Sequence, residues 1–201
     1  MQLHFVLALH LLAVVGCQFC KPMSNEAFPS EYKTFNGSLY ASCRMRPNTQ
    51  LSPGSPKVYG QVFFKQTSPE GKLRVRFRLH GLPASTHQAR AIHIHQYGDL
   101  SEGCTSTSGH YNPSGVNHPH HPGDFGNFVS RNGKIHQSVD SKATLFGPLS
   151  VLGRAVVIHE MEDDMGLGGD AGSLLHGNAG RRLACCVIGM STAQFWNKLH
   201  Q

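Results

Sequence analysis

The clearest pattern in the chain is Leu73-Arg74-Val75-Arg76-Phe77-Arg78-Leu79, where apolar and basic residues alternate without a break. Successive side chains of an extended strand point to opposite faces, so this run predicts a strand with an apolar inner face and an arginine outer face. Residues 57–64 keep a period near two, with Val58, Gly60, Val62 and Phe64 set against Lys57, Tyr59, Gln61 and Phe63, and some apolar area on both faces. Residues 91–95 predict another short strand, and residues 135–139 and 143–145 weaker ones. Residues 155–159 and 183–190 are apolar enough for inner strands. Ser52-Pro53-Gly54 and Asn132-Gly133 mark turns between them. Many short strands with little helical periodicity predict an all-β domain, an antiparallel sandwich or barrel. Two stretches, about 97–126 and about 160–180, lack any such period. Loops of that length are usually functional or disordered, and the histidines and acids they carry favour function.

The 201 residues suit one domain with extensions. Residues 1–20 contain no Lys, Arg, Asp or Glu, and residues 5–15 form an apolar run broken only by His10. This reads as a secretory signal peptide over residues 1–17, with cleavage between 16 and 20, and is too short for a membrane span. Val14-Val15-Gly16-Cys17 also looks like a bacterial lipoprotein cleavage site. Residues 18–38 read as a polar extension, residues 39–191 as the folded domain and residues 192–201 as a tail. Six cysteines in a secreted chain point to disulfides. Asn36-Gly37-Ser38 is a glycosylation sequon in a polar stretch.

Half of the 14 histidines fall between His87 and His121, which makes chance a poor explanation. Neutral imidazole is the commonest metal ligand. A set rich in imidazole with one carboxylate suits copper or zinc better than calcium or an iron–sulfur centre. His93 and His95 lie two apart on a predicted strand and so share a face. His159 ends another apolar strand. His110 lies in the first long loop, and His118, His121 and Asp124 follow among Pro119, Pro122 and Gly123. These seven side chains are too many for one tetrahedral zinc, which takes four ligands. They suffice for two ions if one imidazole serves both.

The segments that carry these residues resemble the copper–zinc superoxide dismutases. They are His93-Ile94-His95-Gln96-Tyr97-Gly98-Asp99, Gly103-Cys104, His110-Tyr111-Asn112-Pro113, Pro122-Gly123-Asp124-Phe125-Gly126-Asn127, the run from Gly153 to His159 and that from Gly177 to Cys185. The doubled Cys185-Cys186 and the spacing His118-Pro119-His120-His121-Pro122 are most similar to the extracellular branch. The resemblance implies a Greek-key β-sandwich, a flattened eight-stranded barrel with two long functional loops. It implies one copper on His93, His95, His110 and His159. It implies one zinc on His110, His118, His121 and Asp124, with His110 as the bridge. His120 matches no ligand position and reads as solvated. Asp163 matches a carboxylate that accepts hydrogen bonds from His93 and His118 and fixes their orientation. Arg182 matches an anion-docking arginine at the copper mouth; its neighbour Arg181 does not match. The implied reaction converts two superoxide anions to dioxygen and hydrogen peroxide. The His110 nitrogen released from reduced copper carries a proton, so His110 and Arg182 are the candidate catalytic pair. The family pattern also implies a disulfide Cys104–Cys185, and the extracellular branch a second one, Cys43–Cys186, against the alternative that one of the adjacent cysteines stays a buried thiol.

A formal charge of +6 is compatible with steering an anionic substrate. Arg74, Arg76 and Arg78 form a basic stripe that is either a weak heparan sulfate (polyanion) contact or a solvated strand face. The chain end from Gln194 to Gln201 has no basic run, which argues against matrix retention, and residues 21–40 carry no helical oligomerisation segment. A homodimer or a monomer is therefore expected. In the second loop Ala171, Gly172 and Leu175 stand where intracellular relatives carry guiding charges. A metal carrier of the same fold is expected to lack a copper ligand or the arginine; here all are present. Modest charge and no recognised motif argue against nucleic-acid binding.

Overall fold

The structure, a computed structural model, describes residues 37–84 and 88–197. The signal segment, most of the extension, Cys17, Cys20, the sequon Asn36 and the last four residues of the tail lie outside the described residues. Among the described residues nine strands form one antiparallel system: β1 (Leu39–Pro47), β2 (Tyr59–Gln66), β3 (Leu73–His80), β4 (Ala89–His95), β5 (Asp124–Val129), β6 (Lys134–Ser141), β7 (Ala155–His159), β8 (Arg182–Val187) and β9 (Gly189–Met190). Their spatial order is β5-β4-β7-β8-β1-β2-β3-β6, with the short β9 on β1. Consecutive strands are often not neighbours, so the chain crosses between the two ends as a Greek key does. β1 is the corner: Leu39 to Met45 pair with β2, while Arg46 and Pro47 pair with β8. At the far seam β5 and β6 are not paired as strands, but Gln137 Nε2 donates to the Val129 carbonyl across the gap (2.8 Å). The result is a nearly closed, flattened barrel.

Alternation explains the core. On β3, Leu73, Val75, Phe77 and Leu79 are buried while the arginines between them face outward. Phe77 packs against Phe128 (4.7 Å between centroids) and Phe125 (5.6 Å) in the middle of the barrel. Burial of each such side chain favours the fold by about 1.5–3 kcal/mol. β4 and β7 are buried along their whole length. Ile92, Ile94, Val156 and Ile158 enter the barrel core. Their alternate residues His93, His95 and His159 therefore project from the opposite face.

The structure departs from the sequence reading in five places. β1 is a strand that the reading did not foresee. β5 starts at Asp124, inside the stretch taken as loop. Residues 143–145 form no strand; Ala143 and Leu145 are core residues, and Thr144 makes only an isolated bridge with Ser150. The predicted strand 183–190 is interrupted at Ile188, giving β8 and β9, so a ninth strand is added to the expected eight. Two short helices occur, α1 (Ala171–His176) in the second loop and α2 (Ala193–Asn197) in the tail.

The adjacent cysteines of β8 point to opposite faces and serve two different bonds. Cys186 faces the main core and is bonded to Cys43 of β1. Cys185 faces outward and is bonded to Cys104 of the first long loop, beside Val157.

Candidate metal centre

The two paired strands β4 and β7 set His93, His95 and His159 side by side, and the first loop folds back over them. His110 makes an antiparallel bridge with His95, and the Tyr111 amide donates to the Ile94 carbonyl (2.8 Å), which seats the His110 ring against His93 (4.1 Å between centroids). His118, His121 and Asp124 close the group from the other side. Two sets of ligand atoms lie mutually within 4.8 Å: those of His93, His95, His110 and His159, and those of His93, His110, His118 and Asp124. His121 falls outside the second set by that radius, yet its Nδ1 is 3.0 Å from Asp124 Oδ2. The direction of its lone pair, not its distance to every other atom, places it on the Asp124 side.

Ring orientation tells more than proximity. The outer nitrogen of five imidazoles is tied to an oxygen: His93 Nε2 to Asp163 (2.8 Å), His118 Nε2 to Asp163 (2.7 Å), His95 Nδ1 to the Ser108 carbonyl (2.7 Å), His121 Nε2 to the Val116 carbonyl (3.0 Å) and His159 Nδ1 to the Gly180 carbonyl (3.2 Å). Each tie places the ring proton outward and leaves a lone pair facing in. His110 is the exception. Its Nδ1 faces Asp124 Oδ1 (3.0 Å), and its buried Nε2 has no hydrogen-bond partner. Both of its nitrogens face ligand groups.

The inward atoms are those that protein partners leave unsatisfied. His93 Nδ1, His110 Nε2, His118 Nδ1 and His121 Nδ1 are buried without a hydrogen bond. The last two are 2.9 and 3.0 Å from Asp124 Oδ2 but off the hydrogen-bonding direction, as donors converging on a common cation would be. His95 Nε2 and His159 Nε2 face each other at 3.2 Å. A buried polar atom left unsatisfied costs about 1–3 kcal/mol, so four of them in one cluster fit a site for bound cations. Charge agrees. Burial, the neighbouring imidazoles and Arg182 push His95 and His159 far below the ordinary histidine value, and burial brings His110 down to about 4. These rings are neutral and can donate lone pairs. Burial also acts against a charged His118, but the Asp124 and Asp163 carboxylates beside it outweigh this and raise it to about 9. A cation there takes the place of a proton.

Residues 58–188 match the sequence model of the copper/zinc superoxide dismutase (SODC) family. The chain belongs to that family. It is 52 % identical over 160 residues to the extracellular superoxide dismutase [Cu-Zn] of Rattus norvegicus, covering 79 % of this chain and 66 % of that one. It is 49 % identical over 165 residues to the extracellular enzyme of Homo sapiens, covering 81 % and 69 %. Against the superoxide dismutase [Cu-Zn] of Kluyveromyces lactis it is 42 % identical over 148 residues, covering 70 % and 94 %. The chain thus spans about two thirds of the length of its mammalian relatives.

Within this superoxide dismutase fold, the remaining predicted residues fall as follows. The buried Asp163 carboxylate holds His93 with one oxygen and His118 with the other. Gly177 makes room for it: a Cβ there would lie 2.1 Å from Asp163 Oδ1, and its φ of +68° favours glycine. Arg182 begins β8 and borders an open cleft of about 590 Å³ that reaches His95, His110, His121 and His159. Its Nη1 donates to the carbonyls of Cys104 (2.7 Å) and Thr105 (3.1 Å) and to Thr107 Oγ1 (3.1 Å). Arg181 turns away and pairs with Glu160 (2.7 Å). His120 is exposed. Two residues escaped the sequence reading. Asn127 exchanges two hydrogen bonds with the backbone of Asp163 (2.8 Å each) and so positions the carboxylate. Asn48 joins the Cys104 amide to the Arg182 carbonyl (3.0 Å each). Asn127 lies within the motif Pro122–Asn127; Asn48 had no local signal.

Proposed function

We propose that the mature protein is a secreted, extracellular superoxide dismutase that converts two superoxide anions to dioxygen and hydrogen peroxide. The observation that carries this reading is His110, the one ring of the cluster with both nitrogens turned toward ligand groups. In this reading copper is held by His93, His95, His110 and His159. Zinc is held by His110, His118, His121 and Asp124. Copper supplies one-electron chemistry by alternating between two oxidation states, which zinc does not do. The residues do the rest. Arg182, fixed by three oxygens of the first loop, attracts the anion and orients it at the cleft floor. His110 lines the cleft, and its Nε2 is the atom that takes up and passes on the proton peroxide requires, while Nδ1 keeps the ring in place. Asp163 keeps His93 and His118 in register, and Asp124 closes the group.

Residues 1–17 serve as the signal peptide, consistent with the extracellular names of the mammalian relatives. A homodimer is part of this reading, with the exposed apolar side chains Tyr97, Val187 and Met190 available for contact; equilibrium sedimentation at monomer mass would remove it. Polyanion contact through Arg74, Arg76 and Arg78 is weak. Arg74 is already paired with Asp140 (2.9 Å), and Arg76 lies over the Trp196 ring (4.4 Å). Retention on heparin ends near ~0.15 M salt, where exposed charges are screened.

Metal analysis coupled to a superoxide assay tests the main reading. One copper and one zinc per chain with superoxide removal are expected, and His159→Ala should lose copper more than zinc. Full loading without superoxide removal above the solution background would reject the enzyme.

A further inference from the structure

The cleft that leads to the histidine cluster is poor in charge. Among its described lining residues Arg182 is the only Lys, Arg, Asp or Glu, and the walls include Met161, Leu175 and Ala179. The polar side chains at its rim, apart from the cluster itself, are Asn112, His176 and Asn178. Two of these are already engaged. Asn112 holds the Val116 carbonyl with its Nδ2 (2.8 Å) and the Val116 amide with its Oδ1 (3.1 Å). Asn178 Nδ2 donates to Asp164 (2.9 Å) and Asp170 (3.0 Å).

His176 differs. Its Nδ1 accepts the Asn178 amide (3.3 Å), so the neutral ring carries its proton on Nε2, and Nε2 has no partner among the described residues. The backbone of His176 is also held in place. It ends α1, whose start is capped by Asp170 accepting the Ser173 amide (3.0 Å) and whose end is closed by Gly177 in the left-handed conformation. The hydrogen bond to Nδ1 argues against a metal on Nε2, because such a ligand would have to be an imidazolate. It suits an N–H donor.

We propose that His176 Nε2–H is a second anion-docking donor, which receives small anions at the cleft rim and works with Arg182 to pass them inward. This rests on the superoxide dismutase reading and deepens it. Beside Arg182, this rim offers one N–H donor between apolar walls.

The test uses the full mature chain loaded with copper and zinc, with azide as the probe anion, followed by the charge-transfer absorption of the copper–azide complex. A single neutral hydrogen bond corresponds to about a twofold to tenfold change in affinity. His176→Ala is expected to raise the azide Kd by that factor and to lower kcat/KM for superoxide in parallel. His176→Gln keeps an acceptor for the Asn178 amide and a donor for the anion, and should restore most of both. His136→Ala, on the exposed face of β6, should change neither. An unchanged azide Kd in folded, metal-loaded His176→Ala overturns the proposal, as does a His176→Gln variant as weak as His176→Ala. If the wild type binds azide but removes no superoxide, the enzyme reading fails, and the azide comparison still decides the role of His176.

Discussion

The two long loops over β4 and β7 build the same site by different means. The first, between β4 and β5, contributes the side chains His110, His118 and His121, and is tied down covalently by Cys104–Cys185. The second, between β7 and β8, contributes none of the proposed ligands. It supplies the Asp163 carboxylate and the Gly180 carbonyl, which orient rings from elsewhere. It is held by a polar network: Asn178 between Asp164 and Asp170, and Ser173 Oγ donating to Asp164 (2.7 Å). The cross-linked loop thus carries proposed ligands together with two orienting carbonyls, Ser108 and Val116, while the hydrogen-bonded loop carries orienting groups alone.

The largest effect should come from releasing the first loop. Cys104→Ser with Cys185→Ser is expected to cost about 2–5 kcal/mol in denaturant unfolding. It should also weaken Arg182, whose Nη1 partners lie on residues 104–107. A smaller cost than for releasing the second loop would invert the comparison.

Next comes the orienting carboxylate. Asp163→Asn leaves every proposed ligand in place, yet should lower metal affinity about 10- to 100-fold, read by competition with a chelator. The same group predicts a pH effect in the metal-free protein. Burial favours the neutral acid, but the hydrogen bonds from His118 and His93 outweigh it and hold the Asp163 carboxyl well below the ordinary range. The folded value lies below the unfolded one. Its contribution is therefore complete above the unfolded value of about 4 and disappears as the pH falls through the folded value. Acid unfolding of metal-free wild type should show this loss, and Asp163→Asn should lack it.

The smallest effect belongs to Asn178→Ala. It should lower the local stability of α1 by about 1 kcal/mol, seen as faster amide exchange there, with metal content retained.

The sequence made the ligand strands legible for a plain reason. β3 alternates between large apolar and charged residues, and β4 and β7 are short apolar runs that end in histidine. β1 alternates just as regularly, Leu39, Ala41, Cys43 and Met45 being buried, but Ala41 and Cys43 are small and give a weak amphipathic signal. β5 loses its period at Gly126, close to the register shift between Ile92 and His93 in the β4–β5 ladder. The six residues of α1 are too few to show a helical repeat. At the site, the seven ligand candidates stood out because metal chemistry selects side-chain types, whereas Asp163 and Arg182 came from the resemblance to the family. The carbonyls of Ser108, Val116 and Gly180 were not readable, since a backbone acceptor leaves no mark in composition. Asn48 was hidden because its partners are 56 and 134 residues away.

The central claim is that one imidazole joins two different ions. Diffraction from metal-loaded crystals, with anomalous data at the copper and zinc edges, tests it most directly. The account predicts a zinc peak at His110 Nδ1, about 2.0–2.1 Å away, and a separate copper peak at Nε2 of the same ring. A single ion, or two ions of which one lacks His110, would contradict it.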